Sequence, residues 1–454
     1  MGYFLGIDLG TSYFKAGLFD ADGSLKGLGR LPVNKETGKA NSCELPVPVF
    51  LNTLYNCIGK AIKSAGISSR EILALSYSSQ ANSFILLNGN DIPLTPLILW
   101  PDKRAKDTSL VEKVFGNDPE LFRRTGLGSV PGREFSITKM NRLQKEEPRT
   151  WERLNSLLSI SDYLSFLLTG NKFSDVSTAS LSGLLDVTEC NWISPYLESF
   201  SIDQESLPSL CRTGSLTGTL TKTGAELFGL CPGIACYAGA LDHHCAAIGA
   251  GLPANNYISE STGTVLSCVS YTNFFHPVPM RFIAPGLTPG HYFQMAFNDN
   301  GAKSLEWYRE KFAPELSIAG LLELAGRVEK GCGGLKAKSC VFQYEGKKGF
   351  ENVKPGHTHG HFIRAILESV SVSLAGLVDS VKYPGVNNGV ISTGGGAQSR
   401  LWTEIKAETL KTKFFLPECN ETACLGAALI AAHGTKNFGD WNEIINKWVK
   451  FAVL

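Results

Sequence analysis

The chain lacks most of the features that would announce a membrane, nucleic-acid or secreted protein. It has no window of about 18 uninterrupted apolar residues, so no membrane span is expected. It carries no long basic run, and its formal net charge of +1 offers nothing to attract a polyanion. Its 12 cysteines include no CxxC pair. In a chain of this size they read as reduced thiols of a cytoplasmic protein, not as a disulfide or zinc framework. The opening residues Met1–Asp8 lack a basic stretch and meet an acid early, unlike a signal peptide. Walker A and GxGxxG loops are both missing, as are short repeats and low-complexity segments. What remains is a globular chain of 454 residues, too long for one ordinary core, with a small molecule or a neutral protein as its partner.

What is present falls into two similar halves. Residues 3–9 and 13–19 are short apolar runs around Gly10-Thr11-Ser12, which predicts a hairpin. Apolar positions from Phe50 to Ala65 follow helical spacing, and Gly66 suits the helix end. Strands are expected at 72–77, 83–87 and 93–100. Later, Asn256–Val269 reads as strands around Ser261-Thr262-Gly263-Thr264, and Ile363–Val381 as a long amphipathic helix. Gly389–Thr393 then reads as a strand running into Gly394-Gly395-Gly396. Strands mixed with helices in both halves mean an α/β protein of duplicated architecture with a cleft between the halves. The glycines and Pro253 of Gly249–Ala254 place the boundary there, giving domains at 1–248 and 249–454.

Four segments suggest chemistry. The two small-residue turns can let backbone N–H groups close around an anion, with the hydroxyls of Thr11, Ser12, Thr262 and Thr264 as further donors; each is equally an ordinary turn. Gly394–Gly396, between a strand and a helix at Arg400–Leu410, either lets a flat ligand lie on bare backbone or makes a plain tight turn. Asp242, before a run of small residues, is either a helix N-cap or a general base.

Taken in order, GIDLGTSYFKAGLFDADG, GALDHHCAAIGAG, ISESTGTVLSC, PGHTHGHFIRAILES, STGGGAQSRLWTEIKAETL and ETACLGAALIAA resemble the FGGY carbohydrate kinases of the actin/hexokinase/Hsp70 superfamily. The resemblance implies two ribonuclease-H-like, actin-like ATPase domains closing on ATP and a small ketose, polyol or sugar acid. It implies a first phosphate loop at Gly10, Thr11 and Ser12 with Lys15 nearby, and a second at Ser261, Thr262, Gly263 and Thr264. Gly394, Gly395, Gly396 and Gln398 would line the adenosine site. Asp242 matches the catalytic base, and Asp8, with Asp242, would face Mg²⁺.

For the sugar, the resemblance implies Gln80, Asn82, Asp102 and Arg104. Ala81 and Asn82 stand where xylulokinase-like members carry Met and His, which argues against xylulokinase itself. Arg142 replaces the Trp of the family's first signature. His357, His359 and His361 alternate, which suits either a metal site or, as in the family, a loop leading into the long helix; His243 and His244 suit helix packing or the pocket. Many members are dimers, so a homodimer is the family expectation. The rival readings are an actin/Hsp70-like ATPase, against which the expectation of no peptide-binding extension after Leu454 counts, and a weakly catalytic sugar-binding regulator.

Overall fold

The computed structural model describes residues 2–38, 41–386 and 389–453. They form two compact units. Unit 1 holds the described residues up to Ala254, Tyr271–Phe293 and Glu421–Val449; unit 2 holds Asn255–Ser270, Gln294–Asn420 and the described residues from Lys450. These are not the contiguous stretches 1–248 and 249–454 read from the sequence.

In unit 1, β1 (Tyr3–Leu9) and β2 (Tyr13–Phe19) form the expected hairpin, with Asp8 opposite Lys15. β3 (Leu25–Pro32) continues the sheet antiparallel to β2. Helix α1 (Val47–Ala65) buries Phe50, Leu54, Cys57, Ile58 and Ala61 and ends on Gly66 at φ 66°, a left-handed cap that glycine adopts without strain. β4 (Ile72–Ser79) then pairs parallel with β1 on its other side. Of the strands expected next, 83–87 forms from Phe84 to Leu87, and only Leu97–Ile98 forms within 93–100.

Unit 2 repeats the plan. β5 (Ile258–Thr262) and β6 (Leu266–Thr272) are antiparallel, and β7 (Gly389–Thr393) lies parallel to β5. The long helix is His359–Val381, longer at its start than its apolar stripe predicted. It is apolar and long enough to cross a membrane, yet half of that stretch is buried and its stripe lies in the core of unit 2.

One helix departs from its place in the sequence. Thr422–Gly434 folds back into unit 1. Its run of Ala, Gly and Cys lets it lie backbone to backbone against helix α2 (Asp242–Gly249) and β1. A Cβ at Gly426 would fall 1.9 Å from the Cys245 carbonyl oxygen, one at Gly249 1.9 Å from that of Thr422, and one at Gly6 2.0 Å from that of Cys424. Backbone cannot yield as a side-chain tip can. Gly426→Ala is therefore expected to cost about 1–3 kcal/mol or more in urea or thermal unfolding, the range of an overpacked core; an unchanged melting temperature would contradict this packing.

Candidate functional site

The crossing of α2 with the Thr422–Gly434 helix brings two helix starts to the end of β1. Asp242 is the first residue of α2, one place inside the N-cap position the sequence suggested. Glu421 is the N-cap residue of the second helix. Asp8, 6% exposed, lies between strands and accepts a hydrogen bond from Ser78 Oγ at 2.8 Å. Lys15 Nζ stands 2.7 Å from Glu421 and 3.8 Å from Asp8.

The electrostatics of this group are unbalanced. Burial pushes the Asp8 pKa up to about 6; Lys15 draws it down, the charge of Asp242 pushes it up, Ser78 lowers it and Glu421 raises it. Burial opposes the charge of Lys15, but Asp8 and Glu421 outweigh it and hold its pKa above the ordinary value. Two carboxylates, Asp8 and Glu421, thus face one ammonium beneath the first turn, with the charge of Asp242 close to Asp8. Two helix N-termini, which favour negative charge, offset part of the excess.

The turn itself is braced. Trp100 Nε1 donates to Thr11 Oγ1 at 2.7 Å and Lys35 Nζ to the Thr11 carbonyl at 3.2 Å, while Ser12 is exposed. A Cβ at Gly10 would meet the Tyr13 carbonyl oxygen at 2.8 Å. The start of α2 is braced too. Ser177 Oγ accepts from Leu241 N at 3.1 Å and lies 2.8 Å from His244 Nδ1, and the His244 ring stacks on Phe293 with centroids 4.5 Å apart. Burial, with His243 beside it, pushes the His244 pKa down to about 3, so this histidine packs as a neutral ring.

The residues expected at the sugar are partly committed elsewhere. Gln80 is buried; its amide donates to the carbonyls of Leu9 and Gly10 and its oxygen accepts from Ser83. Asn82, at φ 58°, accepts from Ser136 N. Asp102 is wholly buried, and its two oxygens are taken by Cys43 N and by the backbone and guanidinium of Arg104, which also pairs with Glu44. In this structure Asp102 ties neighbouring segments together, and Arg104 keeps a partly exposed edge. Buried Lys139 does similar work, donating to the carbonyls of Asn82 and Leu99 at 2.8 and 2.9 Å. Arg142, in the place of the signature Trp, reaches Glu146 and Glu147.

In unit 2 the second turn follows β5, and Gly394–Gly396 follows β7. A Cβ at Gly396 would lie 2.7 Å from Thr262 Cβ and one at Gly394 2.9 Å from Ser261 Oγ, whereas Gly395 faces open space. Gln398 and Thr264 are exposed. Thr262 is not a free donor, contrary to expectation: its hydroxyl donates to Glu260 Oε2 and accepts from Lys406 Nζ, both at 2.8 Å. Lys406 also pairs with Glu260 Oε1 at 2.7 Å, and neither side chain is exposed. This pair was missed by sequence reading; an acid inside the apolar strand ISEST was its one signal.

Among the described residues no three His, Cys, Asp or Glu side chains converge on a metal position. His357 and His361 accept through Nδ1 from backbone near the start of the long helix, and His359 pairs with Tyr308. Asp8 and Asp242 are two hard carboxylate donors of like charge that repel each other, and Mg²⁺, which takes one or two carboxylates and completes its shell with phosphate oxygens and water, would fit that donor set.

Two family descriptions match the chain: the N-terminal domain of the FGGY family of carbohydrate kinases over residues 3–249 and the C-terminal domain of that family over 261–435. A xylulose kinase of Lactococcus lactis is 28% identical over 464 residues, with 99% of this chain and 91% of the relative covered. The crystal structure of ligand-bound xylulose kinase from Lactobacillus acidophilus superposes with a TM-score of 0.87 at 20% identity, covering 100% and 93% of the two chains. Plasmodium falciparum glycerol kinase with ADP gives 0.84 at 18% identity, covering 100% and 94%. The two-domain actin-like ATPase fold expected from the resemblance is thereby confirmed.

The raised pKa of Asp8 has a testable consequence. A carboxylate whose folded pKa lies above its unfolded value of 3.8 destabilises the fold once it is ionised in both states, so this cost is absent below pH 4 and complete above pH 6. Asp8→Asn should raise the melting temperature at pH 7.5 by about 2–8 °C and lose that advantage at pH 4. A variant less stable than wild type at pH 7.5 would show that the charge of Asp8 is favourable on balance.

Proposed function

Because the chain belongs to the FGGY family of carbohydrate kinases, and so phosphorylates a sugar hydroxyl with ATP, we propose that Asp242 is the general base of that transfer. The observation that carries this reading is the position of Asp242, half-buried at the start of α2 and close enough to Asp8 for their charges to oppose each other. Phosphoryl transfer asks little covalent help of a protein; it asks for alignment and for charge opposite the moving phosphoryl group. Asp242 accepts the proton of the attacking sugar hydroxyl, and the brace of Ser177 on Leu241 keeps the carboxylate aimed. Asp8 and Asp242 are the residues that would hold Mg²⁺, which when bound would supply charge neutralisation for the nucleotide phosphates. Lys15 supplies the fixed positive charge, and Glu421 keeps its ammonium at the site.

In unit 1 the phosphates meet Gly10, Thr11 and Ser12; the Thr11 hydroxyl, already an acceptor from Trp100, keeps its proton to donate. In unit 2 they meet Ser261, Gly263 and Thr264, through backbone N–H groups and the exposed Thr264 hydroxyl, while Thr262 supports the turn from below. The open face at Gly395 and exposed Gln398 receive the adenosine. Asn82 and the exposed edge of Arg104 face the sugar, and Gln80 acts on it indirectly by shaping the Leu9–Gly10 turn.

The acceptor is a small ketose, polyol or sugar acid. The similarity to a xylulose kinase supports a ketose of that size, while Ala81 and Asn82 in place of Met and His argue for a different sugar. None of the 12 cysteines is in a disulfide, which supports a cytoplasmic location.

Asp242→Ala is expected to lower sugar-dependent ADP release about 10²–10⁴-fold, the usual worth of a positioned base, with ATP affinity within about twofold of wild type. Full turnover in this variant overturns the assignment. A panel of ketoses, polyols and aldonates, read by ADP release, identifies the acceptor. Stimulation by D-xylulose above all others would overturn the argument from Ala81 and Asn82.

A further inference from the structure

We infer that Lys406 is a positioning residue for the nucleotide, holding the second turn and the triple-glycine loop of unit 2 as one rigid backbone surface. The inference rests on the reading that unit 2 receives ATP. Lys406 and Glu260 are both wholly buried. Such a pair is a poor way to gain stability, because removing two charges from water costs about what their attraction returns and apolar residues of similar volume often serve better. What the pair supplies is direction.

Glu260 takes Lys406 and Ser392 on one oxygen and Thr262 on the other, and its carbonyl takes Thr393 Oγ1 at 2.8 Å. Glu260 and Thr262 end β5; Ser392 and Thr393 end β7. The network therefore fastens together the two strand ends from which the two loops spring. It also fixes one side chain that both loops depend on. Thr262 cannot rotate while its hydroxyl is held from two sides, and its Cβ and methyl group form the floor against which Gly396 lies. The ammonium of Lys406 lies 5.2 Å from the Trp402 ring centroid, so α-helical residues Trp402 and Lys406 of Arg400–Leu410 enclose the pair without offering it water. Replacing the lysine by an apolar chain keeps the volume and releases Thr262.

The test is a set of three variants. Lys406→Met alone would strand a buried carboxylate, so it is combined with Glu260→Gln. In E260Q/K406M, ATP affinity by calorimetry and KM for ATP should weaken about tenfold, the loss of roughly one well-placed hydrogen bond to a charged group. kcat and KM for the sugar should stay within about twofold, and the melting temperature should not fall. Thr262→Val, which removes only the hydroxyl, should show the same split and keeps the test decisive where the double variant fails to fold.

Gly395→Phe fills the open face and separates the two levels of the argument. If it leaves ATP binding at the wild-type value, unit 2 does not receive the nucleotide there and the underlying reading fails. If it abolishes ATP binding while folded E260Q/K406M or T262V binds ATP as wild type does, the positioning role of Lys406 is overturned. A general loss of kcat, sugar affinity and melting temperature together also overturns it, because that is what a merely structural pair would give.

Discussion

The close crossing of α2 with the Thr422–Gly434 helix is the constraint on which the site of unit 1 depends. Gly249 and Gly426 sit where any side chain would strike a carbonyl oxygen, so the two helices meet through backbone. Because they meet that closely, their starts reach the end of β1 together, and two carboxylates from positions far apart in sequence, Asp242 and Glu421, join Asp8 and Lys15. The small residues of GALDHHCAAIGAG and ETACLGAALIAA are thus the means by which charge is concentrated at one point. A wider crossing would leave Lys15 without Glu421 and Asp8 without Asp242.

Each unit carries a hairpin whose first strand is flanked by a parallel strand, and each must support a short turn by the loop that follows the parallel strand. The two units do this with different chemistry. In unit 1 the loop after β4 sends the amide of Gln80 to the carbonyls of Leu9 and Gly10. In unit 2 the loop after β7 has no side chains to send, so it comes close enough to touch Thr262 directly, and the polar support moves beneath the turn into the Glu260–Lys406 pair. Bare glycine backbone above and buried charge below are two halves of one solution: the loop can be stripped of side chains because the core underneath holds its shape.

Hairpins and the long helix were legible in the sequence because each is announced by local periodicity, and the strand end at Asp8 and the helix start at Asp242 by motifs within a few residues. Glu421 was not, since its role comes from a salt bridge to Lys15, 406 positions away. Lys406 and Glu260 were invisible for the same reason: a lysine in RLWTEIKAETL looks like a solvated helix face until the fold buries it. Thr262 and Asp102 present the opposite case. Both have side chains that can serve a ligand, and the structure spends them on neighbours instead. Residue type bounds what a side chain can do, while burial and nearby partners decide what it does.

The charged groups of unit 1 show how far the fold departs from its own stability optimum to keep this arrangement. Burial raises Asp8 to about 6 and lowers Lys139 to about 7, although Asp102 draws Lys139 back upward. Each shift means that folding opposes the charged form: the cost of Asp8 sets in above pH 3.8 and is complete above pH 6, and that of Lys139 is complete below pH 7 and gone only above pH 10.5. Near neutrality both costs are felt, yet the two residues differ in what they lose on discharge. A neutral lysine still has two N–H donors for the carbonyls of Asn82 and Leu99, so the brace survives deprotonation. A protonated Asp8 gives up the charge that faces Lys15 and that would face a metal. The site is therefore tolerant on the alkaline side and vulnerable on the acid side, and that asymmetry follows from one group acting by hydrogen bonds and the other by charge.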